Sequence, residues 1–235
     1  MRKPVKETKK GKFIVLEGTD GSGKTTQLKL LIFYLKANGY QVEEADFPQY
    51  YTSFFGKLVG RFLKGEFGGN DEVSPYLASL TYAGDRFEAK ERIEKWLTQG
   101  KLVVANRYTG SSMGHQTAKL PKEEQIKFLR FLEKLEYEIF GIPKEDIVIF
   151  LYMPVVIGQL LVDKKGNRGY IGGQGRDIHE ADLDHQKKSS EVYLRLVRRY
   201  PYWIRINCFD DDLLTPQEIH EKVLEALKKR KIIKK

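Results

Sequence analysis

The sequence has very little cysteine and no long apolar run, and both absences limit the kind of protein it can be. Its one cysteine, Cys208, has no second thiol in the chain with which to form a disulfide, which is typical of proteins from reducing compartments. No stretch approaches the roughly 18 consecutive apolar residues of a membrane helix. The basic start, MRKPVKETKK, is not followed by an apolar segment, so we expect no secretory signal. These features predict a cytoplasmic protein without a membrane partner.

Basic residues outnumber acidic ones, giving a formal net charge of +9, but the excess is confined to the two ends of the chain. Residues 1–12 carry +5 and residues 222–235 carry +6, which leaves the body at −2. Basic ends are more often solvated than a specific binding face, so we predict no specific nucleic-acid partner. The pattern suggests a basic tail at 1–11, one domain at 12–227 and a second basic tail at 228–235.

Strand and helix patterns alternate along the chain, which predicts a parallel sheet covered by helices on both faces. The predicted strands are FIVLE (13–17), QVEEADF (41–47), LVVA (102–105), IVIFLYM (147–153) and WIRIN (203–207). One intervening helix is expected to run unbroken from Pro75 to Gly100, and another over roughly 121–140. A glycine-rich segment without periodicity, at 164–180, is expected to form a mobile loop. The predicted fold class is therefore α/β, a three-layer domain with a five-stranded parallel sheet.

The segment GTDGSGKT (18–25) matches the pattern G-x-x-x-x-G-K-[ST] and lies between the first strand and a helix. Its glycines allow backbone N–H groups to turn toward an anion at the positive end of the helix dipole. Lys24 would reach the β- and γ-phosphates of a nucleotide, and Thr25 would offer its hydroxyl to Mg²⁺. The predicted ATP-binding residues are Gly18, Asp20, Gly21, Ser22, Gly23, Lys24, Thr25 and Thr26. A guanine-reading motif such as N-K-x-D does not occur in the sequence, which argues against a GTPase.

The next strand ends carry aromatic and basic side chains. Phe47 and Tyr50 lie at the end of the second strand and beyond it. They would either contact a ligand or form an aromatic loop that packs on the core. Tyr82 and Arg86 share one helix face, where they would contact a base or form an ordinary cation–π pair. Arg107 directly follows the third strand, where a buried charge requires an anionic partner, either a phosphate or an internal carboxylate.

Taken together, these segments resemble the thymidylate kinase family over nearly all of residues 12–227. The resemblance depends on EGTDGSGKTT (17–26), FPQYY (47–51), TYAGDR (81–86), NRYTGSSMGHQ (106–116) and the arginine-bearing loop before DIHEADL (177–183). It implies a P-loop kinase fold with a mobile lid, a homodimer, and the reaction of ATP with dTMP to give ADP and dTDP.

The resemblance also implies individual roles. The substrate residues would contact the monophosphate (Phe47, Tyr50, Arg107), the thymine (Tyr82, Arg86, Ser112, Gln116) and the deoxyribose (Asp20, His115). Lys24 and Arg107 would be catalytic. Since the P-loop contains no arginine, the mobile arginines of the family would be Arg168 and Arg176, in a lid at about 164–180.

One residue departs from the family pattern. The usual D-R-[YH] after the third strand is here Asn106-Arg107-Tyr108, so a carboxylate is replaced by a neutral amide. We expect Thr25, the ATP oxygens and Asp20 to hold Mg²⁺ instead, because this ion needs only one or two protein ligands beside phosphates and waters.

Two alternatives remain open. The first is a kinase of another nucleoside monophosphate or of a deoxynucleoside. The second is a nucleotide-dependent interaction protein, whose active site is weakened at Asn106 and whose basic ends bind a polyanion.

Overall fold

A computed structural model describes residues 10–163 and 182–234 of the chain. Its main sheet contains five parallel strands in the order β2-β3-β1-β4-β5. The strands are Lys12–Glu17 (β1), Val42–Asp46 (β2), Leu102–Asn106 (β3), Ile147–Tyr152 (β4) and Trp203–Asn207 (β5). The predicted five-stranded parallel α/β fold is therefore confirmed.

Nine α-helices lie within the described residues. They are Lys24–Ala37 (α1), Phe54–Leu63 (α2), Pro75–Glu88 (α3), Lys90–Thr98 (α4), Thr109–His115 (α5), Lys122–Glu133 (α6), Val155–Asp163 (α7), Leu183–Arg199 (α8) and Pro216–Lys229 (α9). Thr117–Lys119 forms a 3₁₀ turn and Lys134–Ile139 a π-helical segment, and Phe209–Asp210 (β6) pairs with Asp212–Leu213 (β7). No helix in this part of the chain is both long and apolar enough to cross a membrane.

Alternating side chains of β1 divide the interior into two cores, as expected for a sheet buried on both faces. Phe13 and Val15 pack with residues of α4, α6 and α8 on one face. Ile14 and Leu16 pack with residues of α1 and α9 on the other. The result is three layers, with β1 in the centre of the sheet and the loop that follows it at the middle of one edge.

The prediction of one helix from Pro75 to Gly100 is wrong. The backbone N–H of Ala89 binds the carbonyl of Arg86 at 3.1 Å, three residues earlier, so the regular α-helical pattern is interrupted between α3 and α4. The helix expected over 121–140 likewise changes at Glu133 into the π-helical segment. Propensity does not reveal such breaks, because tertiary contacts decide them.

The structure describes most of the C-terminal basic segment but not the N-terminal one. Residues 1–9 lie outside the described part, whereas α9 continues to Lys229 and Ile233 is buried beyond it. A capping box between Thr215 and Glu218 opens α9. The division into one domain and two basic tails stays a prediction.

Candidate active site at the strand ends

The carboxyl ends of β1, β2 and β3 meet at one edge of the sheet. The register pairs Leu16 with Asn106 and Asp46 with Asn106, so three consecutive strands in space deliver their last side chains to one place. A cavity of about 510 Å³ opens there. This is where ligands bind in open parallel sheets, because the loops leaving the strands diverge at that edge.

The phosphate loop forms one wall of this cavity. Gly23 has φ +84° at the N-cap of α1, a conformation that a residue with a side chain rarely adopts. At Gly21 an added Cβ would lie 2.0 Å from the carbonyl oxygen of Gly158 in α7, so only glycine fits between the loop and that helix. The backbone is thereby held in the curved form that surrounds a phosphate.

Lys24 is buried at the start of α1, and its ammonium group bends back over the loop. Its Nζ donates to the carbonyl oxygens of Gly18 and Thr19, each at 2.9 Å. The hydroxyl-bearing Thr25 and Thr26 are exposed beside it and line the cavity. Two of the predicted ATP-binding residues, Gly18 and Ser22, do not line the cavity, and Ser22 is fully buried behind the loop.

Arg107 leaves β3 with φ 62°, which turns its side chain back toward the phosphate loop. Its Nη2 donates to Asp20 Oδ1 at 2.5 Å, and its Nη1 lies 3.3 Å from Ser111 Oγ. Gln186, from α8, donates to the second oxygen of Asp20 at 3.2 Å. Burial disfavours the charge of Arg107, but Asp20 and other neighbours outweigh it and raise the pKa of the guanidinium. The internal ion pair considered for Arg107 is therefore the one that this structure contains.

Glu17, the last residue of β1, is fully buried beneath Arg107. Its oxygens accept hydrogen bonds from the Tyr108 backbone N–H at 2.8 Å, Ser111 Oγ at 2.8 Å and Tyr193 Oη at 3.1 Å. Burial raises the pKa of this carboxyl, and the positive charge of Arg107 opposes that shift. With three donors on its two oxygens, Glu17 anchors the turn after β3 and faces the protein interior.

Arg86 lies at the opposite end of the cavity and is paired with an acid. Glu136, from the π-helical segment, accepts from both Nε and Nη2 of Arg86, and Ser112 Oγ accepts from Nη2 at 2.9 Å. The Tyr108 carbonyl accepts from Nη1 at 3.3 Å. Four of the five guanidinium N–H donors thus have acceptors within the described residues, and one on Nη1 remains. The side chains of Arg86 and Glu136 are 2% and 1% exposed.

The aromatic residues predicted for the substrate line the same cavity. Phe47 is buried against Tyr108, with ring centroids 5.4 Å apart, while Tyr50 and Tyr82 both pack against the apolar cluster that contains Phe62. Tyr82 meets the Phe62 ring edge-on at 6.3 Å and is not stacked on Arg86, so the cation–π pair considered for this helix face does not occur between them. All the substrate residues predicted from the sequence line the cavity: Asp20, Phe47, Tyr50, Tyr82, Arg86, Arg107, Ser112, His115 and Gln116.

His115 and Gln116 close the cavity beside Ser112. Both are buried, and Gln116 Oε1 has no hydrogen-bond partner within the described residues. Burial, and then the positive charge of Arg107, lower the pKa of His115 well below its ordinary value, so this imidazole is neutral at pH 7. The two residues therefore offer uncharged hydrogen-bonding groups.

The predicted lid at 164–180, with Arg168 and Arg176, lies outside the described residues. Two other residues of the site carry no motif signal. Glu136 belongs to a helical segment far from any strand end, and Asp46 becomes notable only when the strand order places it beside Asn106. There, Asn106 Nδ2 donates to Asp46 Oδ1 at 2.8 Å.

The described residues contain no group of three or more His, Cys, Asp or Glu side chains arranged to bind a metal by themselves. The oxygen-bearing side chains of Thr25, Asp20, Asp46 and Asn106 nevertheless line one cavity, and Asn106 Oδ1 is buried there without a partner in the described chain. Such a donor set fits Mg²⁺ that is shared with nucleotide phosphates and waters.

Comparisons with known proteins agree with this geometry. Residues 16–231 match the family model for thymidylate kinase. A thymidylate kinase of Plasmodium falciparum is 30% identical over 96% of this chain and 94% of its own length. A probable thymidylate kinase of Thermococcus onnurineus is 31% identical over 95% of this chain and its whole length. The structure of thymidylate kinase from Candida albicans superposes with a TM-score of 0.73 at 21% identity, covering 95% and 93% of the two chains.

The Arg86–Glu136 pair leads to a stability prediction. Glu136→Gln keeps the shape of the side chain but leaves the buried guanidinium without its counter-charge, so the free energy of unfolding should fall by about 3–5 kcal/mol. Urea unfolding monitored by circular dichroism measures the change. The control is Glu138→Gln, on the exposed side of the same segment, which should change stability by less than about 0.5 kcal/mol. Equal losses in the two variants would contradict a buried ion pair.

Proposed function

The chain belongs to the thymidylate kinase family, and we propose that it transfers the terminal phosphoryl group of ATP to dTMP, giving ADP and dTDP. The observation that supports this most directly is one cavity lined by the phosphate loop, by Arg107, and by the aromatic and polar side chains of Tyr82, Arg86 and Gln116. Phosphoryl transfer requires placement of the two nucleotides and stabilisation of charge on the transferring group, and these residues supply both.

The donor phosphates belong at the loop between β1 and α1. The backbone N–H groups there and the dipole of α1 favour an anion. The ammonium group of Lys24, now bound to loop carbonyls, is within the same loop and would exchange those acceptors for phosphate oxygens. It would remain in contact with the transferring group as negative charge shifts to the leaving oxygen.

The acceptor phosphate belongs at Arg107. A partly buried guanidinium at a strand end needs an anion, and Asp20 fills that role in this structure. A phosphate offers two oxygens to the planar guanidinium and carries more charge than one carboxylate. Arg107 would therefore move from Asp20 to the monophosphate when dTMP binds, which brings acceptor and donor together.

Thymine fits the other end of the cavity by its hydrogen-bonding pattern. The remaining N–H of Arg86 would donate to a ring carbonyl oxygen, and Gln116 Oε1, which has no partner among the described residues, would accept the ring N–H. Glu136 keeps the guanidinium in place for this contact. The ring of Tyr82 lines the same space and would cover one face of the base.

Mg²⁺ is the expected cofactor, and it would neutralise phosphate charge and orient the ATP oxygens. Thr25 and Asp20 are the ligands predicted from the sequence. Thr25 is exposed to the cavity at the start of α1, whereas the Asp20 carboxylate is bound by Arg107 and Gln186.

A homodimer is also proposed, with α3 at its interface. Leu77, Leu80 and Phe87 share one face of α3, and their side chains are 62%, 40% and 47% exposed. Phe54, at the start of the adjoining α2, adds a ring that is 72% exposed. We propose that a second copy of the chain covers this exposed apolar face. A two-fold axis would pack the face against the same face of the partner.

A cytoplasmic location is proposed as well. Its support is the lone cysteine, Cys208, which is buried and has no second cysteine to pair with.

The function is tested by measuring ADP release in a coupled assay with each nucleoside monophosphate and with thymidine. We expect dTMP to give the highest kcat/KM. Lys24→Ala should lower kcat by about 100-fold or more because it removes a charge from the transition state, while Lys29→Ala, on the exposed side of the same helix, should not. ATP binding without transfer to any acceptor would refute the proposal.

The base site has its own test. Tyr82→Ala should weaken dTMP binding by about 1–3 kcal/mol, the range for a base stacked on an aromatic ring, and leave ATP affinity unchanged. Tyr82→Phe keeps the ring and should bind dTMP almost normally. Calorimetric titration with each nucleotide measures both. An equal loss for dTMP and ATP would mean that the ring is structural.

The dimer is tested by sedimentation equilibrium. We expect a mass of about twice 27.3 kDa. Leu77→Glu introduces two acids near one two-fold axis and should shift the protein to monomer, because like charges in an interface cost several kcal/mol. Phe33→Glu, an equally drastic change on the opposite layer at a ring that is 75% exposed, should leave the dimer intact. Dissociation by both variants, or a monomeric wild type, would exclude this interface.

A further inference from the structure

Asp46 lines the cavity beside the phosphate loop, and no sequence motif assigns it a role. It ends β2, lines the cavity, and lies in register with Asn106 at the end of β3. Thr25 and Arg107 line the same region. The side chain thus projects from a rigid element at the edge where the phosphate loop begins.

Three carboxylates lie near the phosphate loop, and they differ in the hydrogen bonds and ion pairs that they accept. Glu17 is fully buried and accepts three hydrogen bonds. Asp20 is bound through one oxygen to Arg107 and through the other to Gln186. Within the described chain, Asp46 accepts one hydrogen bond, from the Asn106 amide to Oδ1 at 2.8 Å, and no Lys or Arg there forms an ion pair with it.

The Asn106 amide fixes this carboxylate and adds an oxygen to it. Its Nδ2 is committed to Asp46, so the amide orientation is set by that bond, and its Oδ1 is buried at the cavity with no partner in the described residues. Asp46 Oδ2 and Asn106 Oδ1 are therefore two oxygen acceptors held side by side. A neutral amide beside a carboxylate also avoids the repulsion that two acids in register would cause.

A carboxylate beside a phosphate-binding loop is unfavourable unless a cation lies between it and the bound phosphates. Divalent cations such as Mg²⁺ prefer oxygen ligands and use one or two carboxylates together with phosphate oxygens and waters. We propose that Asp46, positioned by Asn106, is the carboxylate that holds the hydrated divalent cation of the ATP complex. This inference rests on the proposed function, because that function supplies the ATP complex. It assigns a metal ligand to β2, whereas the sequence motifs predict ligands in the phosphate loop and at the start of α1.

The two strand ends allow a direct exchange test, because the register makes positions 46 and 106 neighbours. The probe is Mn²⁺ added to the protein saturated with ADP, with free Mn²⁺ followed by electron paramagnetic resonance. Asp46→Asn should raise the dissociation constant of Mn²⁺ about 10-fold or more, the loss typical of removing a partner that orients a metal. The double variant Asp46→Asn/Asn106→Asp moves the carboxylate to the adjacent strand and should recover affinity to within about threefold of wild type, because the oxygen donors of the site are preserved.

Three controls exclude other causes of a weakened Mn²⁺ affinity. Glu44→Gln removes the same charge two residues earlier on β2, at an exposed position outside the cavity, and should leave Mn²⁺ affinity unchanged. Thermal melting of each variant shows whether the fold persists. ADP affinity without metal should be no weaker in Asp46→Asn than in wild type, because the substitution removes a negative charge beside the phosphates.

The outcomes are distinct. Unchanged Mn²⁺ affinity in Asp46→Asn would overturn the inference, and so would a folded double variant that recovers nothing. A wild type that binds Mn²⁺·ADP through Asp46 but transfers no phosphoryl group to dTMP would refute the proposed function and leave the metal ligand standing.

Discussion

The positive charge of Arg107, at the carboxyl end of a buried strand, is the constraint around which this site is arranged. A guanidinium in that position is costly without anions, and the fold surrounds it with two carboxylates from the first strand and the loop behind it. Glu17 anchors the turn from beneath, while Asp20 pairs with the guanidinium at the cavity wall. The difference between them matters: one acid is saturated by fixed donors, and the other is held mainly by the charge that a phosphate would compete for.

Arg86, in contrast to Arg107, has a permanent carboxylate partner. Arg86 and Glu136 are both buried and nearly saturated, so this pair is a fixed feature of the domain and not an exchangeable one. A buried ion pair is weak evidence for stability in itself, because desolvation offsets the attraction. Its value here is orientation: a planar guanidinium with four donors occupied has one left, in a defined direction. The π-helical segment that carries Glu136 is a local irregularity of the kind that often accompanies functional positions.

Much of this could be predicted from the sequence, for physical reasons that differ between features. The five strands and the phosphate loop follow from local patterns, namely apolar β-branched runs and a glycine spacing that has one structural explanation. Some residues that line the cavity can be predicted because they directly follow strands or share a helix face, whereas Ser112, His115 and Gln116 are implied only by the family resemblance. What could not be predicted depends on pairing in space. The break at Ala89, the partner of Arg86 and the neighbour of Asn106 all require knowledge of which elements lie side by side, and no local signal encodes strand order.

Strand order also changes the meaning of the asparagine that departs from the family pattern. From the sequence alone, Asn106 stands where the family has a carboxylate, and Asn106→Asp would be expected to restore a metal ligand. Considered across the sheet, it is one half of an amide–carboxylate pair whose charge resides on β2. An acid introduced at 106 alone would lie at hydrogen-bond distance from Asp46, and two carboxylates that close hold a proton between them or repel each other. Desolvation already raises the pKa of the Asp46 carboxyl, with Asn106 and then Arg107 opposing the shift, so loss of the amide donor would raise it further. The two positions therefore constrain each other, and one of them must stay neutral for the other to remain an anion.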